Sequence, residues 1–594
     1  MSETKETLIQ GGAFLVEDFA GEDIITPEDF TEEHHMIAQT TEDYVTGEVW
    51  PVLENLEKQD FEHSVSLLKK AGELGLLSAD IPEEYDGLGL DTISSSLITE
   101  KISLAGGFSI THGAHVGIGS LPIVFFGNEE QKKKYLPKLA TGEMIAAYAL
   151  TEPSSGSDAL GAKTTATLNE DGTHYILNGE KQWITNAAFA DVFIVYAKID
   201  GEHFSAFIVE RDFPGVSTGP EEVKTGINSS STRTLILEDA EVPVENLLGE
   251  KGRGHIIAFN ILNVGRYKLA IGSVGSSKRG IELATKYVNE RKQFNKPISS
   301  FSLTKEKLGT LASRTYANES AVYRTVGLFE QRMGSLTDDQ LKDGREVAKA
   351  IAEYQVECSM NKYMCTELLD HVVDEAVQLH GGYGYMQEYE VERMYRDSRI
   401  NRIFEGTNEI NRLLVPGTLL KKAMKGELPL MEKAQGLQEE LMMMMPEEPG
   451  NEPLEQEKYL LKNAKKIVLL SAGLAAEKYM QKIENEQEIL ANLADMVAEI
   501  YNMEAAVLRT EKAFNQTGEE KNKQKLLYTE VYVQEAFNRI EADAKEIIVA
   551  VEEGDQLRMM LSALRKLTRH TPINVIEQKR MIADEIIKEE KYVV

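Results

Sequence analysis

Cysteine is almost absent from this chain, with only Cys358 and Cys365 among 594 residues. They stand seven positions apart in a segment with helical periodicity, which puts them about 10 Å apart along one helix, too far to bridge. A disulfide scaffold is therefore excluded. A reducing compartment is predicted instead.

Long apolar runs are also missing, since no stretch approaches the roughly 20 apolar residues of a membrane-spanning helix. The first residues, MSETKETLIQGGAFLVEDFAGEDI, contain no arginine, several acids and only short apolar runs. This pattern predicts neither a secretory signal nor a transit peptide. We therefore expect a location in the cytoplasm of a bacterium-like cell.

Positive charge is scarce, because 64 lysines and arginines face 97 acidic residues and give a formal net charge of -33. Such a surface repels nucleic acid and anionic lipid, so no nucleic-acid partner is expected. The run MMMM at 442–445 leaves contact with a membrane or a partner open, with a mobile loop as the alternative.

Several motifs of phosphate, metal and redox sites are absent as well. The chain has no phosphate loop, no HExxH and no CxxC, and the GxGxxG of a dinucleotide-binding turn is missing. No metal site is predicted. Any nucleotide cofactor must be held by a different architecture.

The composition is otherwise typical of a large, mostly helical, folded protein, with 42% hydrophobic residues and only 16 prolines. The chain is too long for a single hydrophobic core, so the fold class is predicted to be multidomain α+β. Apolar periodicity and turn signals divide it. The predicted regions are an N-terminal helical domain at 26–147, an antiparallel β domain at 148–252, a second helical domain at 253–425, a linker at 426–458 and a helical extension at 459–594.

Two segments of the β domain are candidates for ligand contact. YALTEPSSGSDALGA, at 148–162, crowds hydroxyls and small residues into a turn whose N–H groups suit an anion or a polar ring edge, although a plain domain linker has the same composition. GEKQWITNAA places Trp183 beside Thr185 at a strand end. Taken alone, Trp183 is as compatible with a core position as with a ligand platform.

A third segment, RINRIFEGTNEINRLL, places Glu405 directly after the apolar pair Ile403 and Phe404. An acid in apolar surroundings loses hydration, which raises its pKa toward the range of a general base. An acid at the surface would fit the same letters.

Taken in order, LTEPSSGSD, WITN, RKQF, QLHGGYGY and FEGTNEINR resemble the acyl-CoA dehydrogenases, and the resemblance covers about residues 27–425. It implies a helical domain, an antiparallel β domain and a four-helix bundle that together hold FAD. The long extension resembles the very-long-chain branch, in which an extra helical domain accompanies a homodimer. Fatty acyl-CoA is the implied substrate and an electron-transfer flavoprotein the implied acceptor.

The resemblance also assigns residue roles. Glu405 aligns with the base that takes the α-proton of the acyl thioester, while the β-hydrogen leaves as hydride and a trans-2-enoyl-CoA forms. The alternative position of the base in the family reads Gly265 here. The implied FAD contacts are Tyr148, Leu150, Thr151, Ser157, Trp183, Thr185, Thr407 and Glu409, with Arg291, Phe294, Gln378, Gly381 and Gly382 reaching the FAD of the partner subunit. The implied substrate contacts are Ser157, Asn263, Arg266, Phe404 and Gly406.

Two positions depart from the family pattern. Asn295 replaces the usual glycine after RxQF, and Glu409 stands where an amide is often found. The affinity for FAD therefore cannot be inferred from the motifs.

Substrate length is predicted from the segment SITHGAHVGIGS. In medium-chain relatives a polar pair closes the acyl channel in the aligned helix, and those positions carry Ile110 and Ala114 here. Small and apolar residues leave a deeper channel, which favours long acyl chains.

Two alternative functions use the same fold. An acyl-CoA oxidase would pass its electrons to oxygen, and a non-catalytic assembly protein would have no turnover. The domain order and extension favour a dehydrogenase over an oxidase, and the intact Glu405, Trp183 and Arg291 argue for catalysis.

Overall fold

The structure is a computed structural model that describes residues 8–443, 449–450 and 452–594. The N-terminal helices begin at side-chain caps: the Thr31 hydroxyl accepts from the His34 N–H, and Asp91 and Asn128 cap later helices in the same way. The helices are α1 (Glu32–Tyr44), α2 (Leu53–Glu57), α3 (Phe61–Glu73), α4 (Thr92–Ile102), α5 (Phe108–Gly113), α6 (Leu121–Phe126) and α7 (Glu129–Thr141).

A π-helical turn, Ala114–Gly119, joins α5 to α6 into one apolar helical stretch. Among the described residues, this stretch, Phe108–Phe126, is long and apolar enough by length and composition to cross a membrane, which corrects the expectation that no segment is. Because 67% of it is buried inside the protein, its apolar character is accounted for by the core. Met444 and Met445 of the MMMM run lie outside the described residues.

The β domain is a single eight-stranded sheet with β1 as a side branch. It is mixed rather than wholly antiparallel, because β1 and β2 each run parallel to β4. β1 follows directly after the N-terminal helices, and it spans the predicted domain border between residues 147 and 148. The strands are β1 (Ala146–Ala149), β2 (Thr165–Leu168), β3 (His174–Thr185), β4 (Val192–Ile199), β5 (His203–Glu210), β6 (Val216–Glu221), β7 (Thr232–Pro243) and β8 (Leu247–Leu248).

The second helical domain is built around α12, which packs along α8 and also contacts α9 and α14. These four helices form the expected bundle. Both cysteines lie on α12, and both are buried and unbonded. The elements are α8 (Gly254–Glu290), the ribbon β9 (Lys292–Gln293) and β10 (Lys296–Pro297), α9 (Ser302–Gly334), α10 (Asp338–Lys342), α11 (Gly344–Ala352), α12 (Gln355–His380), α13 (Glu390–Ser398) and α14 (Asn408–Met424).

The extension is helical as predicted, but much of the region predicted as a linker is a helix too. Leu437 and Leu441 of this helix are buried in the hydrophobic cluster shared by the bundle and the extension, so apolar burial outweighs the acidic composition. Residues 444–448 and 451 of the predicted linker lie outside the described residues. The helices are α15 (Leu430–Met443), α16 (Glu455–Tyr479), α17 (Gln487–Thr517), α18 (Lys523–Val551), α19 (Gly554–Leu567) and α20 (Val575–Glu589).

Buried ion pairs join the extension to the bundle and the N-terminus. Arg509 of α17 contacts Glu319 of α9 at 2.8 Å and Glu28 at 2.9 Å. Arg324 of α9 contacts Glu504 of α17 at 2.7 Å. The extension and the catalytic body therefore share both apolar core and buried charge.

We predict that Arg509→Met destabilises the protein by about 3 kcal/mol, because Glu28 and Glu319 would stay buried without their shared partner. We take the low end of the usual range of stability losses, because Lys525 and Lys278 remain beside Glu28 and Glu319. Urea unfolding followed by far-ultraviolet circular dichroism measures the loss.

The matched control is Arg558→Met, which breaks an exposed pair with Asp555 on the surface of the extension. It should change stability by no more than about 0.5 kcal/mol. Equal losses in the two variants would contradict the assigned role of Arg509.

Candidate active site

Glu405 lies in the short loop between the turn Arg399–Arg402 and helix α14. Its backbone is left-handed with φ +57°, and Gly406 follows at φ +80°. A left-handed conformation costs a non-glycine residue roughly 1–2 kcal/mol, so the surroundings must hold this turn in place. Thr407 then begins α14, its hydroxyl accepting from the Ile410 N–H at 3.2 Å.

Buried side chains from three helices hold the turn through its carbonyl groups. Arg266 Nε of α8 donates to the Glu405 carbonyl at 3.2 Å, and Lys362 Nζ of α12 donates to the Gly406 carbonyl at 2.8 Å. Asn411 Nδ2 of α14 donates to the same Gly406 oxygen at 2.9 Å. The conformation of the loop is thus set by the bundle around it.

The Glu405 carboxyl is enclosed. Its Oε2 is buried and has no hydrogen-bond partner among the described residues. Burial raises the pKa of Glu405, while the positive charges of Arg266 and Lys362 oppose that rise. An unpaired carboxylate with a raised pKa and no competing donor is suited to accept a proton from carbon.

Gly265 of α8 provides the space for this carboxyl. A Cβ atom at position 265 would lie 2.7 Å from Glu405 Oε2 and 3.5 Å from the side chain of Ile118. The alternative position of the base therefore faces the carboxylate itself, and the sequence fills it with the one residue that leaves room.

Arg266 and Asn263 form a unit beneath the loop. Arg266 Nη1 donates to Asn263 Oδ1 at 2.8 Å, and both side chains are buried. Among the described residues no carboxylate lies within ion-pair distance of Arg266, so its charge is not taken up by a salt bridge. Phe404 and Gly406 are half-buried on either side of Glu405.

The β domain contributes residues to the same region. Tyr148 on β1 is buried against Tyr196, and its pKa is raised, chiefly by burial, with Glu405 among the charges that act on it. Leu150 is buried, Thr151 is half-buried and Ser157 is exposed on the following loop. β1 therefore leads from the buried Tyr148 into the loop predicted to contact the flavin.

Trp183 lies at the surface rather than in the core. Its side chain is 60% exposed and its backbone is left-handed, at an irregularity in the pairing of β3 with β7. Thr185, two residues on, returns to regular pairing with Thr232. Trp183 is therefore not a core residue, and its role as a ligand platform stays a prediction.

A second cluster of predicted cofactor residues lies at the far end of α12. They line a cleft of about 550 Å³. Gln378 is roughly 24 Å along α12 from Lys362, so one chain does not bring this cleft and Glu405 together. The predicted residues lining it are Arg291, Gln378, Gly381 and Gly382; Phe294 nearby in sequence is 86% exposed.

Ile118 of the π-helical turn lies beside Gly265 and the Glu405 carboxyl, and the helical stretch runs back from it through α5. A Cβ atom at Gly113 or Gly117 would meet no atom within 4 Å, so both face open space. Ile110 lies about 12 Å along this stretch from Ile118 and lines a partly open cavity of about 60 Å³ that is also lined by charged residues, among them Arg393 and Asp397. Ala114 is buried between Ile110 and Ile118.

Sequence reasoning missed Lys362. The signal was present, because Cys358, Lys362, Cys365 and Leu369 follow the spacing of one buried helical face, in which a lysine is out of place. The remaining predicted positions are peripheral in one chain: Thr407 acts as a helix cap and Glu409 is exposed.

The residues present fit a flavin. The platform of Trp183, the hydroxyl of Thr185 and the small-residue loop after Leu150 offer a ring face and donors at its edge. The hydroxyl of Tyr148 and Oε2 of Glu405 are both buried and without hydrogen-bond partners in the described part of the chain.

A buried, unpaired carboxyl oxygen with a raised pKa is the arrangement expected of an enzyme that removes a proton from a carbon atom. Family models for acyl-CoA dehydrogenases match nearly the whole chain. They are the N-terminal domain over 31–143, the middle domain over 147–240, and two C-terminal domain models over 252–420 and 463–566.

Individual relatives agree with the family models. A probable acyl-CoA dehydrogenase of Bacillus subtilis is 71% identical over 98% of both chains. A crystal structure of an acyl-CoA dehydrogenase from Bacillus anthracis, complexed with FAD, has a TM-score of 0.97 and 70% identity, covering 99% of this chain and all of the other. The human very long-chain specific acyl-CoA dehydrogenase is 40% identical over 58% of this chain and 51% of its own. The chain belongs to the acyl-CoA dehydrogenase family.

We predict that Gly265→Ala lowers the rate of flavin reduction by acyl-CoA at least about tenfold, because the added methyl displaces the carboxylate. FAD content should be unchanged, since position 265 touches Glu405 and Ile118. Stopped-flow absorbance measures the rate. Gly417→Ala on α14, where the methyl meets open space, is the control, and equal rates in both variants would refute the steric argument.

Proposed function

We propose that the chain is an FAD-dependent dehydrogenase of long-chain fatty acyl-CoA that forms trans-2-enoyl-CoA, the first step of fatty-acid β-oxidation. An electron-transfer flavoprotein would be its acceptor and the cytoplasm its location. The observation that carries the proposal is the enclosed, unpaired carboxylate of Glu405 facing Gly265.

Glu405 takes the α-proton. Burial raises its pKa, which makes it a stronger base than an exposed glutamate, and the charges of Arg266 and Lys362 oppose that rise. The left-handed turn aims the carboxyl into the space beside Gly265 and Ile118 instead of toward solvent. When bound, FAD supplies the acceptor for the β-hydrogen.

We predict that Glu405→Gln lowers turnover with palmitoyl-CoA at least about a hundredfold, the scale of losing a positioned base. FAD should remain bound, and its absorbance should no longer bleach on anaerobic addition of substrate. Glu427→Gln, an exposed change beyond the end of α14, is the control.

Near-normal turnover in Glu405→Gln would remove Glu405 from the mechanism. Peroxide formed by the wild-type protein with substrate and air alone would favour an oxidase. A colourless protein that cannot be reconstituted with FAD would favour the assembly role.

Small residues of the helical stretch support the choice of a long acyl chain. Gly113 and Gly117 leave open space beside it, and Ile110 and Ala114 stand where, by the family resemblance, a polar pair closes the acyl channel of medium-chain relatives. A deeper channel would take an extended hydrocarbon, and burial of each methylene adds about 0.8 kcal/mol.

We predict that Ala114→Leu lowers kcat/KM for palmitoyl-CoA about tenfold and leaves hexanoyl-CoA within about twofold, because by the family resemblance position 114 lies at the deep end of the acyl channel, beyond the reach of a short chain. A series of acyl-CoA substrates on both proteins measures the effect. Wild-type activity that is tenfold higher with octanoyl-CoA than with palmitoyl-CoA would contradict the long-chain assignment.

A homodimer is part of the proposal. The cleft at the end of α12 lies too far from Glu405 to serve the same flavin in one chain, and its arginine and glycine backbone suit a phosphate group. In a two-fold dimer each cleft would complete the site of the partner subunit.

A further inference from the structure

Lys362 is the most deeply buried charged group around the catalytic turn. It is fully buried on α12, and its Nζ donates to the Gly406 carbonyl at 2.8 Å and to Asn408 Oδ1 at 2.7 Å. Both acceptors follow Glu405 within three residues. One side chain therefore fixes the chain on both sides of Thr407.

Burial of an ammonium group is costly, and an apolar residue could fill the same volume on this helix face. Among the described residues no carboxylate lies within 4 Å of Lys362 Nζ, so no ion pair offsets that cost directly. Its hydrogen-bond acceptors are instead a carbonyl and an amide of the catalytic loop. Helix packing alone therefore does not explain a lysine at this position.

The contacts of Lys362 complement those of Arg266. Arg266 holds the Glu405 carbonyl from α8, and Lys362 holds the Gly406 carbonyl from α12. Glu405 and Gly406 are the two left-handed residues, so each strained peptide has its own buried cation. Loss of either clamp would let the turn relax toward a common backbone conformation.

We propose that Lys362 is a positioning residue for Glu405, fixing the left-handed turn that aims the carboxylate and placing a cationic group near it. This inference rests on the proposed role of Glu405 as the base. The hydrogen bonds of Lys362 Nζ are to the Gly406 carbonyl and Asn408 Oδ1, so its effect on Glu405 would pass through the loop.

The charges around Lys362 and Glu405 predict that removing Lys362 changes the pH dependence of the reaction. Burial lowers the pKa of Lys362 to about 7, so the side chain becomes cationic as the pH falls through neutrality. Removing it deletes one of two cations that stabilise the Glu405 carboxylate, and the pKa of Glu405 must then rise. The groups that act on the pair are Arg266 on α8, Glu367 on α12, Glu409 on α14 and Tyr148 on β1.

The experiment is stopped-flow reduction of the FAD-loaded Lys362→Met protein by palmitoyl-CoA without oxygen, across the pH range of activity. The amplitude reports the fraction of intact sites and the rate reports their geometry. We expect full amplitude, a rate about tenfold to a hundredfold lower, and an acid limb displaced to higher pH.

Lys422→Met is the matched control. Lys422 is also a buried lysine that donates to backbone carbonyls, those of Gly11 and Glu353, but it lies about 21 Å along α14 from Asn408. Its loss should leave the rate and the acid limb unchanged. Hydrogen exchange of the 400–412 peptide gives a second readout, faster in Lys362→Met only.

A reduced amplitude with wild-type rate and pH profile would overturn the proposal, because it would mean a purely structural role. Lys362→Gln, which keeps a donor on a shorter arm, is judged by the same criteria if the methionine variant does not fold. Failure of the wild-type protein to bleach with any acyl-CoA would instead reject the proposed function, so the two failures are distinguishable.

Discussion

Enclosing an ionised carboxylate costs several kcal/mol unless charges or hydrogen bonds offset it, and the burial of Glu405 imposes that demand on its neighbours. No hydrogen-bond donor among the described residues reaches Oε2. Arg266 and Lys362 donate instead to the carbonyls of residues 405 and 406, and their charges oppose the rise in the pKa of Glu405. The carboxyl is thereby left unoccupied by donors, the condition a base requires.

A second buried acid shows the opposite arrangement. Glu152, on the loop after β1, forms an ion pair with Lys181 at 2.7 Å and also accepts from the Thr164 N–H at 3.0 Å. Although burial alone would raise the pKa of Glu152, its partners lower it. Lys181 also donates to the Leu150 carbonyl, so this pair fixes the loop that the family motif places at the flavin. Glu152 thus orders the loop, whereas Glu405 has no such partners among the described residues and is left free to act as a base.

The extension is continuous with the catalytic body. Tyr316 and Tyr363 of the bundle lie in the same hydrophobic cluster as residues of α16, α17 and α18, and Arg509 joins α17 to the N-terminal segment. Helix α14, which begins directly after the catalytic loop, packs against α17. The position of the loop is therefore supported from the side of the extension as well as from the bundle.

Much of the fold and part of the candidate site could be predicted from the sequence alone. Apolar periodicity located the helical and β regions, and short motifs identified Glu405, Trp183 and the family, because turns, caps and periodic faces are encoded by residues close together in the chain. The sequence could not show that Trp183 is exposed, that β1 pairs parallel with β4, or that α15 lies within the predicted linker. Nor could it pair Glu405 with Gly265 and Lys362, which come from different helices. Burial, charge and open space at a site depend on contacts between distant segments, and only the tertiary structure brings those segments together.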